Sequence, residues 1–112
     1  MQTLAEMPEF IRHAGKLLSA SEKQALLLHL ASKPKAGVLI QGAGGIRKLR
    51  WAREGSGKSG GVRVVYYFHN EHMPLYLLTL FGKGAKANLT KAERNELASL
   101  VRLLVQAWEH RK

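Results

Sequence analysis

The sequence has no cysteine among its 112 residues, which excludes disulfides and thiolate-held metal. No apolar run approaches the roughly 20 residues that a membrane helix requires. The opening Met1-Gln2-Thr3-Leu4-Ala5-Glu6 lacks the basic-then-apolar profile of a secretory leader. A cytoplasmic protein with no membrane association is the expectation. Acidic residues are also scarce, eight Asp and Glu against eighteen Lys and Arg. Paired carboxylates of the kind that hold two catalytic metal ions are missing, so any cleavage is expected to be metal-independent, with no cofactor.

What is present fits one compact domain spanning 1–112. The hydrophobic share of 46% is ordinary for a globular chain and too high for a disordered one. A net charge of +10 predicts a polyanionic partner, either nucleic acid or an acidic protein.

Residues 1–6 read as a short edge strand. Pro8 suits the first turn of a helix, where its missing N–H costs nothing, and Phe10, Ile11, Ala14, Leu17 and Leu18 recur at helical spacing. Ser21 and Gln24 read as a capping box opening a second helix, which stops near Lys33-Pro34 because proline disfavours helix in the residue before it. A glycine-rich connection from Gly37 to Gly45 carries the apolar triplet Val38-Leu39-Ile40. The period then changes to two, with strands from Ile46, over Val62 to Phe68, and over Leu75 to Phe81. Thr90 and Glu93 form a capping box for a last helix striped with Leu97, Leu100, Val101, Leu104 and Trp108. The order predicts an α+β fold: a small antiparallel sheet with an N-terminal helical hairpin and a C-terminal helix packed on one face.

Strand alternation sorts the charges. Lys48 and Arg50 point one way, while Arg47, Leu49, Trp51 and Arg53 point the other. On the next strand Arg63, Val65 and Tyr67 lie beside Lys48 and Arg50. On the third, Tyr76, Leu78 and Leu80 are expected to face the helices, leaving Leu77, Thr79 and Phe81 on the open face, with Lys83 and Lys86 just beyond its end. Cations for phosphates and flat rings for splayed bases are what single-stranded RNA requires. A sheet dressed in cations only to prevent edge association would mix both signs of charge.

Two motifs are decoys. Ala52-Arg-Glu-Gly-Ser-Gly57-Lys58-Ser59 resembles a relaxed phosphate-binding loop, but that loop works only between a strand and a helix. Here Gly61-Val62-Arg63-Val64-Val65 continues as a strand, so the segment reads as a hairpin connection able to reach a phosphate through Lys58. His69 and His72 flank Asn70-Glu71 in a turn, which lacks the fixed register of a metal-binding helix.

Three segments together carry a resemblance. Gly42-Ala-Gly-Gly45-Ile-Arg-Lys-Leu-Arg50, then Gly60-Gly61-Val-Arg63-Val-Val-Tyr-Tyr67, then Leu77-Leu-Thr-Leu-Phe81-Gly-Lys83-Gly-Ala-Lys86-Ala-Asn-Leu-Thr90 resemble the RelE/ParE toxin superfamily, most nearly its HigB-type branch. The resemblance runs from about Ile40 to Leu97. It implies the toxin of a type II toxin–antitoxin pair, a metal-independent endoribonuclease that cuts mRNA, in many members only in the ribosomal A site. The 2′-hydroxyl attacks the adjacent phosphate. The family's catalytic cations fall on Lys48, Arg50, Arg63 and Lys83, with RNA-binding roles implied for Arg47, Arg53, Lys58, Tyr67, Phe81 and Lys86. Arg63 is expected on the scissile phosphate, Lys48 or Lys83 in proton transfer, Arg50 on the backbone, and Phe81 or Tyr67 against a base. Implied partners are mRNA, the ribosome and a cognate antitoxin, acidic where it touches the toxin, with operator DNA reached only through that antitoxin. Many relatives carry Tyr at the Phe81 position or near the C-terminus. Phe81 has no hydroxyl, so proton transfer falls to lysine, which suits clustered cations. Two other readings use the same residues: a non-catalytic RNA- or ribosome-binding module, and a partner acting mainly through operator DNA.

Overall fold

The computed structural model describes residues 1–52, 61–82, 84 and 88–111. Their order is β1 (Leu4–Glu6), α1 (Pro8–Leu17), α2 (Ala20–Ser32), β2 (Val38–Leu39), β3 (Ile46–Trp51), β4 (Val62–Tyr67), β5 (Leu75–Gly82) and α3 (Lys91–Glu109). The strands form one sheet in the order β1-β5-β4-β3-β2. The α+β class holds. The sheet is mixed rather than antiparallel, because β1 runs parallel to β5 while the other neighbours are antiparallel. That pairing is continued by Leu75 N–H donating to the Thr3 carbonyl (2.8 Å) and Met7 N–H to the Leu77 carbonyl (2.9 Å). The apolar segment after Gly37 also contributes a strand: β2 pairs Val38 with Lys48 and Leu39 with Arg47. Among the described residues no helix is long and apolar enough to cross a membrane.

Helices cover both faces of the sheet, which corrects the expected one-sided packing. One layer joins Phe10, Ala14 and Leu18 of the α1 segment and Leu26 and Leu30 of α2 to Val62, Val64, Tyr66, Leu75, Leu77 and Leu80. The other joins Leu97, Leu100, Val101, Leu104 and Trp108 of α3 to Ile46, Val65, Tyr67, Leu78 and Phe81. The α1–α2 hairpin occupies the first face, so the α3 stripe is buried only against the second.

The alternation expected for β5 is broken by a bulge. Val65 pairs with Thr79 and Tyr66 with Leu77, leaving Leu78 as an extra residue. Leu77 and Leu80 therefore both face the α1–α2 layer, while Leu78 turns to the α3 layer. The α2 cap is also displaced from its expected position. Ser19, not Ser21, is the N-cap, with the Glu22 carboxylate accepting from Ser19 N–H at 2.7 Å. An ionised carboxylate accepts more strongly than the Gln24 amide and suits the positive end of the helix.

Tyr66 ties the α2–β2 connection to the sheet. Its hydroxyl accepts the Gly37 N–H (2.8 Å) and donates to the Pro34 carbonyl (2.9 Å). A side chain at Gly37 would meet the Lys48 carbonyl and the Tyr66 ring at 2.9 Å, so this close approach requires glycine. Tyr66→Phe strands the buried Gly37 N–H and is expected to destabilise the fold by about 1–3 kcal/mol. Urea unfolding should show a lower midpoint with an unchanged slope.

Candidate nucleic-acid interface

The antiparallel register of β3 and β4 places Arg50 directly opposite Arg63 and Lys48 opposite Val65. Arg63 in turn lies opposite Phe81 on β5. Cross-strand partners share a face, so Lys48, Arg50 and Arg63 stand together on the face that α3 covers farther along. Exposure differs along the strip. Arg50 is exposed, Lys48 half-buried, and Arg63 only 8% exposed. Arg50 and Arg63 line a pocket of about 310 Å³ with Trp51, Ala52 and Gly61. A side chain on Gly61 would sit 2.9 Å from the Trp51 carbonyl, so glycine is what lets β4 begin this close to β3.

Like charges directly opposite one another destabilise a sheet. Among the described residues no carboxylate forms an ion pair with Lys48, Arg50 or Arg63. The ammonium of Lys48 instead donates to the side-chain oxygen of Asn88, just before α3, at 2.6 Å. The arrangement is thus a set of cations with no paired carboxylate among the described residues, two of them aligned across neighbouring strands. It can take a phosphate and stabilise added negative charge on it.

The other expected site residues divide clearly. Arg47 lies on the opposite face, its guanidinium donating to the carbonyls of Gly37 (2.8 Å) and Lys35 (3.4 Å), a brace for the α2–β2 connection. Tyr67 and Phe81 are on the same face as the strip, but α3 covers them, leaving 8% and 7% exposed. Tyr67 contacts His69 through its hydroxyl at 3.1 Å. Burial pushes its phenol above the usual tyrosine range, and the Glu109 charge adds to that. Neither ring offers an open face for a base. Lys83, Lys86, Arg53 and Lys58 lie outside the described residues. The residue that sequence reasoning passed over is Asn88; its one signal was a polar side chain two positions before a capping box.

The two arginines on either side of β3 predict opposite stability effects. Arg47→Ala removes two hydrogen bonds and is expected to lower stability by about 1 kcal/mol. Arg50→Thr removes a like charge from the position opposite Arg63 and keeps a strand former, so it should be neutral or stabilise by a few tenths of a kcal/mol. Urea titration of the two variants checks the contrast.

A family model described as the RelE toxin of the RelE / RelB toxin-antitoxin system matches residues 10–111.

Proposed function

The chain belongs to the RelE toxin family and is the toxin of a toxin–antitoxin system; from that premise we propose that it is an endoribonuclease that cleaves mRNA on the translating ribosome. The observation that carries this reading is the cross-strand pair Arg50–Arg63, with Lys48 beside it and no carboxylate paired with them among the described residues. In the proposed reaction the 2′-hydroxyl attacks the adjacent phosphate, giving a cyclic phosphate and releasing a 5′-hydroxyl.

Each residue has a role that follows from its chemistry. A guanidinium stays protonated and presents paired donors that match phosphate oxygens. Arg63, nearly buried, holds its charge where water is scarce and electrostatic stabilisation is strongest. Arg50, exposed on the neighbouring strand, orients the backbone. Lys48 is the described cation of the strip that can give up a proton, and Lys83 is proposed as its counterpart. The donors are cations rather than carboxylates, which favours chemistry on phosphate without a metal ion. A cytoplasmic site of action and an antitoxin acidic in its toxin-binding segment follow from the same reading.

Regulated expression in a bacterial host, with mRNA 5′ ends mapped, tests this. Wild type should arrest growth and create new internal ends. Arg63→Ala should abolish both, cleavage falling roughly 100-fold or more, with soluble protein retained. Growth arrest and cleavage undiminished in Arg63→Ala would contradict the assignment. Normal growth and intact transcripts with wild type would contradict the ribonuclease reading.

A further inference from the structure

The reading of this strip as a ribonuclease site makes Lys48 its described proton carrier, and the contact that fixes Lys48 is then part of the machinery. We propose that Asn88 is a positioning residue: its side-chain oxygen holds the Lys48 ammonium in the geometry needed for proton transfer. This inference rests on the ribonuclease reading.

Lysine carries a compact charge on a flexible four-carbon stem. Strand geometry fixes where that stem starts and not where the ammonium ends. Asn88 supplies the missing constraint at 2.6 Å, a short, charge-assisted contact. Lysine can only donate, so the amide oxygen must be the acceptor.

Asn88 is itself held. On its C-terminal side Leu89 is buried in the α3 layer, 8% exposed. Next comes Thr90, whose N–H donates to the Glu93 carboxylate (2.8 Å) while its hydroxyl accepts the Glu93 N–H (3.1 Å). Asn88 is thus anchored through α3, forty residues from Lys48 in sequence, and reaches across to β3. The choice of a neutral acceptor also fits. A carboxylate would hold the lysine proton more tightly and cancel the charge a phosphate needs.

The test uses single-turnover cleavage of mRNA on programmed ribosomes across a range of pH, with the full chain. Asn88→Ala should slow the cleavage step roughly 10- to 100-fold, the scale expected for a misplaced catalytic group, leaving the half-saturating concentration unchanged. In a Lys48→Ala background the same change should have no further effect. Asn88→Asp should move the pH–rate profile to higher pH, since the added carboxylate favours the protonated lysine. Wild-type rates and an unshifted profile in both Asn88 variants, with Lys48→Ala impaired, would overturn the inference and leave the ribonuclease reading intact. A rate loss of equal size with and without Lys48, tracking a lowered urea midpoint, would also overturn it by assigning Asn88 a merely structural role. Failure of wild type to cut would refute the ribonuclease reading itself, and the inference with it.

Discussion

A sheet sealed by helices on both faces leaves only its ends and edges for chemistry, and the rest of this molecule is arranged around that constraint. The α1–α2 hairpin fills one face and α3 most of the other. On that second face β3 and β4 carry Lys48, half-buried, Arg50, exposed, and Arg63, nearly buried. There Arg50 and Arg63 are register partners across neighbouring strands. The repulsion between them is sustained by burial elsewhere: β4 is buried along its whole length and locks the register that sets the pair side by side.

Much of this was legible in the sequence. Pro8, the Thr90–Glu93 capping box and the α3 stripe gave their helices correctly, and period-two alternation put Lys48, Arg50 and Arg63 on one face. What failed was the assignment of that whole face to solvent. Val-Arg-Val-Val-Tyr-Tyr carries apolar residues on both sides of the strand, a pattern that goes with burial on both faces. The bulge at Leu78 was hidden for a different reason: an extra residue leaves the composition of a strand unchanged while inverting its parity. The β1–β5 pairing is a long-range choice made by hydrogen bonds that no local pattern encodes.

Covering the face also narrows the chemistry. Tyr67 and Phe81, attractive as stacking platforms when the face is imagined open, instead serve as core under α3. Tyr67, with its phenol pushed up by burial and its hydroxyl against His69, is not part of the cationic strip. On the proposed reading, charge is stabilised by the arginines of the strip and the proton is moved by Lys48. The position of Lys48 in turn joins β3 to the segment that starts α3. The helix that closes the core and the group proposed to move a proton are therefore linked through one side chain.

The most direct measurement of the central claim uses the purified protein, programmed ribosomes and an mRNA carrying one 2′-deoxynucleotide on the 5′ side of the mapped cleavage point. The account predicts that the all-ribose message is cut to leave a cyclic phosphate and a 5′-hydroxyl, and that the deoxy substitution blocks cleavage at that bond alone. Cleavage of the deoxy message at the same bond, or products ending in a 5′-phosphate, would show that the 2′-hydroxyl is not the nucleophile and contradict the account.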